Sequence, residues 1–340
     1  MPLFSPVDRK NILVTGGAGF IGSHLCDALI KTANVICVDN FSTGTVANID
    51  HLLQHPQFEL INHDLTEPLD LATFSELARF HVPIQGIQEI YHLACPISRR
   101  HFEEFRVATA LTNSVGMKHV LDLAVANKAK VLYASSSVLY GARRPDRDAV
   151  SETDPCNIDH LTPHGAYDEG KRFSEAIACT YGDVYGLDVK IARIFRTYGP
   201  RMKVYDGNLL PDMVNAALEG KDIELNTTDD RRISLCYVSD VVDCLMKLMQ
   251  SPIDVTVLNV GSAQDYLLSA VAEKIIRLTE TPSRVRFEPT NQPLFEAPLP
   301  DIDKARQILH WLPLVRLEDG LRHMIDDARS QRQRITSFSS

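Results

Sequence analysis

Residues Asn11–Leu29 read NILVTGGAGFIGSHLCDAL, and this stretch decides the fold. The run Asn11–Thr15 is a short buried strand. Gly16, Gly19 and Gly22 follow, spaced three apart, and a helix begins near Ser23. A turn of this make-up lets the backbone approach a pyrophosphate closely and aims a helix N-terminus at negative charge. Side chains at the three glycines would hold the phosphates away. A second strand, Val35–Asp39, ends on an acid twenty residues after Gly19. The Asp39 carboxylate can accept from the adenosine ribose hydroxyls and repels a 2′-phosphate, so the cofactor expected is NAD and not NADP.

Outward from this turn, short apolar runs alternate with amphipathic helical patterns. Phe58–Asn62, Glu89–Leu93, Val131–Ser135 and Val189–Phe195 read as strands; Leu111–Ala126 and Asp168–Tyr185 read as helices. Near-continuous apolar strands belong to a parallel sheet covered on both faces. The fold expected is α/β, a Rossmann-like doubly wound parallel sheet with a smaller C-terminal substrate lobe. Residues 1–200 form the dinucleotide lobe, joined again by a returning segment at about 235–262 that includes the strand Leu258–Val260. Residues 201–330 supply mainly the substrate lobe, with a last helix at Glu318–Arg329, and residues 331–340 are expected as a frayed tail.

The composition fits an ordinary globular protein. The 340 residues carry 35 Lys and Arg against 44 Asp and Glu, a net charge of −9, with 44% hydrophobic and 23% charged residues. An acidic chain is a poor partner for nucleic acid or an anionic membrane surface. No apolar run approaches the roughly 20 residues needed to span a bilayer. Met1–Lys10 lacks the apolar core of a signal peptide. The seven cysteines are odd in number and contain no C-x-x-C pair, which points to a reduced, cytoplasmic protein. The twelve histidines show no metal-ligand spacing, so no metal is expected.

The chemistry lies further along. Ser135-Ser136-Ser137 follows the strand Val131–Ser135, at the carboxyl end where open α/β sheets bind ligands. Tyr167 and Lys171, four residues apart, share one helix face. A neighbouring ammonium and a cationic nicotinamide favour the phenolate over a phenol that ordinarily titrates near pH ~10. With a serine hydroxyl on the same alcohol, the group suits hydride transfer between a secondary alcohol and NAD.

These residues, with HLACP at His92–Pro96, YDEGKR at Tyr167–Arg172, TYGPRM at Thr197–Met202, CYVSD at Cys236–Asp240 and PDIDKA at Pro300–Ala305, carry a resemblance. Over almost its whole length the chain resembles the extended short-chain dehydrogenases/reductases that modify nucleotide sugars, and within them the UDP-glucuronate decarboxylases. The resemblance implies oxidation of a sugar at C4 to a keto intermediate, NAD as cofactor, a nucleotide-sugar substrate and a homodimer built on the helices Leu111–Ala126 and Asp168–Tyr185. It makes Ser136, Tyr167 and Lys171 the catalytic trio. The cofactor set it implies is Gly16, Gly19, Phe20, Ile21, Gly22, Asp39, Asn40, Asp64, Leu65, Leu93, Ala94 and Asn113, together with Tyr167 and Lys171. Pro96, Ser137, Arg196, Arg201, Arg231 and Arg232 are expected on the substrate.

Departures from the decarboxylase pattern fall on the substrate side. Val138 stands where that branch carries glutamate, and Arg196 where it carries asparagine. Ile233 and Leu299 stand where it carries arginines, and His164 replaces the arginine before the catalytic helix. A valine can neither donate nor accept a proton, so a C4 epimerase or a rearrangement of the keto-sugar stays open beside decarboxylation. A non-catalytic NAD-binding protein is the reading of another class. Arg99, Arg100 and His101 form a further cationic cluster that fits either a sugar acid or an exposed loop.

Overall fold

The computed structural model describes residues 9–98, 102–144, 147–204, 206–227, 230–252, 257–288 and 296–338. The cluster at residues 99–101 lies outside them. Seven strands, all parallel, form the central sheet: β1 Asn11–Thr15, β2 Asn34–Asp39, β3 Phe58–Asn62, β4 Glu89–His92, β5 Lys130–Ser136, β6 Val189–Ile194 and β7 Val257–Val260. Their order across the sheet is β3-β2-β1-β4-β5-β6-β7. The chain therefore reverses direction between β1 and β4, and at such a switch point the loops part and leave a crevice above the carboxyl ends. Register sets what faces it: Thr15 pairs with His92, and Ser136 with Ile194.

Alternating side chains along each strand feed two cores, one on each face of the sheet. Ile12 and Val14 join the side that holds Leu25 and Cys26 of the first helix, α1 Phe20–Leu29. Leu13, Ile36 and Tyr133 face the other side, against Met117, Leu121 and Ala178.

That second side is covered by a helix longer than the expected Leu111–Ala126. It starts at Phe102 as α2 Phe102–Leu111, opens into a π-helical turn at Thr112–Gly116, and continues as α3 Met117–Asn127. Glu103 and Glu104 in its first turn suit a helix N-terminus and extend it backwards from the apolar stripe. The next helix, α4 Gly165–Tyr185, packs on it and buries Lys171, Ser174, Glu175 and Ala178 at three- and four-residue spacing.

After β6 come α5 Leu209–Leu218, α6 Val238–Gln250, α7 Leu268–Thr279 and α8 Leu317–Phe338; α6 packs on α1 and the sheet, and the other three pack on one another as a helical cap. Trp311, fully buried, ties α6 to the approach of α8 by donating from Nε1 to the Asp240 carbonyl at 3.0 Å. The expected frayed tail from residue 331 is helical as far as Phe338. No glycine or proline interrupts it, and Arg332 holds it down by donating to the Asn215 carbonyl at 3.0 Å and to Glu219 at 3.2 Å.

Candidate active site

The glycine turn is built by close approach. Gly16 has φ +72°, and a Cβ there would stand 2.7 Å from the Ala94 nitrogen. A Cβ on Gly22 would stand 2.1 Å from the Gly16 carbonyl oxygen, so the start of α1 lies directly on the turn. Gly19 caps α1, and no side chain among the described residues satisfies that end of the helix. The turn thus presents a bare helix N-terminus in a cradle that any side chain would fill, which fits a dinucleotide pyrophosphate.

Asp39, 8% exposed, lies on the wall beside it and accepts from the backbone nitrogens of Ala18 (3.0 Å) and Phe41 (2.8 Å). Burial pushes its carboxyl above the usual carboxylate range, and the two backbone bonds pull the other way. Asp64 accepts from Thr66 and from Asn40 Nδ2 at 3.0 Å, and these hydrogen bonds hold its carboxyl below that range.

One cavity of about 1320 Å³ runs from this turn across the sheet ends. Its lining includes Gly16, Gly19, Phe20, Ile21, Gly22, Asp39, Asn40, Asp64, Leu65, Leu93 and Ala94 from the expected cofactor set. It also includes Pro96, Ser136, Ser137, Tyr167, Lys171, Arg196 and Arg201, and Val138 lies on the same wall.

On the wall formed by the serines, Lys171 reaches back from α4 to β5. Its Nζ donates to the Ala134 carbonyl at 2.7 Å and lies 4.8 Å from the Tyr133 ring centre and 5.8 Å from that of Tyr167. Burial pushes this ammonium below its usual range, while Cys95 and Glu175 act to raise it. Ser136 caps the 3₁₀ turn Ser137–Tyr140 through a long 3.4 Å bond from the Val138 nitrogen, and it stands at the carboxyl end of β5 inside the sheet.

Behind the wall stands a buried polar frame. Ser135 donates to Glu175 at 2.5 Å; Glu175 pairs with Arg193 at 2.8 Å; Arg193 donates to the Tyr140 hydroxyl at 2.9 Å; and Tyr140 donates to Asn259 at 2.7 Å. His92 stacks on Tyr133 and shares a 2.7 Å hydrogen bond with Thr15. Burial, with the Lys171 charge acting in the same direction, drives its imidazole down to about 3, so it is neutral.

Three expected contacts lie elsewhere. Asn113, fully buried in the π turn, is absent from the cavity lining. It accepts from the Tyr133 hydroxyl at 3.1 Å and donates to Thr109 and Cys95, joining helix to sheet. Arg231 and Arg232 are also off the wall. Arg231 faces Glu296 at 3.4 Å and Arg232 faces Asp265 at 2.5 Å, because nearby carboxylates of the cap take their charge. Conversely, Lys203, Asp206, Asn208, Asp327 and Gln331 line the cavity without having been singled out in the sequence. They arrive from the loop before α5 and from α8, whose placement over the sheet no local spacing records.

Fold, glycine cradle and the Ser136, Tyr167, Lys171 wall define an NAD-dependent enzyme of the short-chain dehydrogenase/reductase type. The model of the NAD dependent epimerase/dehydratase family matches residues 12–261, and the chain belongs to that family. It is 37% identical over 328 residues to UDP-glucuronic acid decarboxylase 1 of Xenopus tropicalis, covering 96% of this chain and 74% of that one. It is 37% identical over 323 residues to UDP-glucuronic acid decarboxylase 6 of Arabidopsis thaliana, covering 94% and 89%. The crystal structure of UDP-glucuronic acid 4-epimerase from Bacillus cereus in complex with NAD superimposes with a TM-score of 0.79 at 26% identity, over 95% of this chain and 98% of that one. Among the described residues, no helix is long and apolar enough to cross a membrane, and no group of side chains is arranged to hold a metal.

Proposed function

We propose that the chain converts UDP-glucuronate to its pentose by oxidation at C4, loss of CO2 and reduction. The observation that carries this reading is the sharing of one cavity by the glycine cradle and by Ser136, Tyr167 and Lys171. The curated relatives named as UDP-glucuronic acid decarboxylases support the substrate.

NAD, held at the glycine turn and by Asp39, supplies a hydride acceptor that later becomes the donor. The rest falls to the chain. Tyr167, as phenolate, takes the proton of the C4 hydroxyl, and Lys171 beside it favours that ionised form. Ser136 hydrogen-bonds the same oxygen and orients it. The resulting ketone is β to the carboxylate, so the electron pair of the broken C5–CO2 bond passes into the carbonyl as an enolate. Ser136 and the protonated Tyr167 stand where that oxyanion develops. Protonation at C5 by a solvent proton gives the 4-keto pentose, and return of the hydride to C4 with the Tyr167 proton to O4 restores the hydroxyl.

Val138 on the cavity wall favours a second reading, C4 epimerisation, which needs no further acid. The test is incubation of the NAD-loaded protein with UDP-glucuronate, with released CO2 measured and the product identified by NMR. CO2 with a UDP-pentose supports decarboxylation. A UDP-hexuronate epimer without CO2 replaces it with the second reading, and no product from this or other nucleotide sugars overturns both.

The same reading takes residues 1–200, with the segment at about 235–262, as the cofactor lobe and the rest of residues 201–330 as the main part of the sugar lobe. It also makes the protein a cytoplasmic homodimer. Val107, Leu111 and Val115 along α2 and the π turn, with Phe173, Val184 and Tyr185 on α4, leave large apolar side chains exposed, and two such faces can cover one another. Seven cysteines without disulfide spacing suit a reducing compartment.

A further inference from the structure

Asp206 has no part in the chemistry derived above, yet it lies on the cavity wall and is only 6% exposed. Ser98, itself 2% exposed, donates to its Oδ1. That bond pins Asp206 against the segment leaving β4, whose Cys95, Pro96 and Ile97 line the same wall. Cys95 of that segment accepts from Asn113, which packs against Gly170, so the segment that holds Asp206 runs beside the Tyr167–Lys171 turn of α4.

The other acids of the wall are engaged differently. Both oxygens of Asp39 and of Asp64 are taken by the turns beside the glycine cradle. Asp327, half-buried, receives the Arg201 nitrogen and Gln331. Oδ2 of Asp206 meets no donor among the described residues.

A carboxylate is an acceptor only. Placed in a cavity that receives a nucleotide sugar, it repels the diphosphate and any sugar acid. On the sugar itself, which is the part of the substrate that meets Tyr167, the neutral donors left to it are the ring hydroxyls. We infer that Asp206 is a specificity-determining residue that accepts a hydrogen bond from a ring hydroxyl of the sugar other than the one oxidised, and so fixes which way the ring faces Tyr167. This rests on the nucleotide-sugar reading above and adds the group that reads the ring.

The test crosses the residue with the hydroxyl. Wild type, Asp206→Asn and Asp206→Ala, each loaded with NAD, are titrated with UDP-glucuronate and its 2-deoxy and 3-deoxy analogues, measuring Kd and, where turnover occurs, kcat/KM. Loss of a hydrogen bond to a charged acceptor weakens binding about 10- to 100-fold. In wild type, one deoxy analogue should show a loss of that size. In Asp206→Ala the same analogue should bind as well as the parent sugar, and NAD affinity should match wild type. Equal deoxy penalties in wild type and Asp206→Ala, or a general loss that includes NAD, would overturn the assignment. Absence of CO2 beside an intact hydroxyl-specific difference in Kd would sink the decarboxylase reading and leave this one standing.

Discussion

Lys171 Nζ and the Ala134 carbonyl lie 2.7 Å apart, so the ammonium on α4 is fastened to the end of strand β5 just before the serines. The hydrogen bond fixes where the charge sits, and burial weakens its hold on the proton. Lys171→Met should fold, because the position is buried and apolar volume is kept, but lose more than about 100-fold in kcat/KM. Steady-state kinetics beside a melting curve checks this; a variant within a few-fold of wild type would remove the ammonium from the mechanism.

Gly22→Ala places a methyl 2.1 Å from the Gly16 carbonyl. Backbone, not a flexible side chain, must yield, and the cradle opens. The rise in melting temperature that NAD gives wild type by binding the folded state should vanish in this variant. Equal NAD-dependent shifts in both would contradict the placement of the pyrophosphate.

Glu175 and Arg193, 8% and 7% exposed, form a buried pair behind the serines. Removing one charge strands the other in a medium that solvates it poorly. Glu175→Gln should cost about 3–5 kcal/mol in denaturant unfolding. Pairing it with Arg193→Met should recover part of that loss, and full additivity of the two losses would argue against their coupling.

Asp168, beside Tyr167 on α4, has its carboxyl pushed up to about 6 by burial, with Glu169 adding to the effect. A pKa raised from 3.8 means that the folded chain holds this proton more tightly than the unfolded chain. The contribution to stability is complete below the unfolded value and is lost as pH rises through about 6. Asp168→Asn should therefore melt higher than wild type above that pH and lose the advantage near pH ~4. Parallel pH profiles would contradict this.

The strands and the glycine turn were legible because each is a local pattern: an apolar run of strand length, a spacing of three, an acid at a strand end. Tyr167 and Lys171 were legible for the same reason, since helix geometry alone places them on one face. Asn113 was not, because the π turn rotates it into the core where it ties Tyr133 to the helix. Arg231 and Arg232 are expected on the substrate from the sequence, yet Glu296 and Asp265 approach them from segments dozens of residues away. Asp206 was silent for the converse reason: only the tertiary fold brings it onto the cavity wall that Tyr167 and Lys171 also line.

The most direct test mixes NAD-loaded protein rapidly with UDP-glucuronate, unlabelled or deuterated at C4, and follows the absorbance of reduced nicotinamide. Reduction should rise transiently, slow with deuterium, and disappear in Tyr167→Phe with a loss of about 10²–10⁴-fold. Turnover that proceeds with no reduced nicotinamide, no isotope effect and an unimpaired Tyr167→Phe variant would contradict the account.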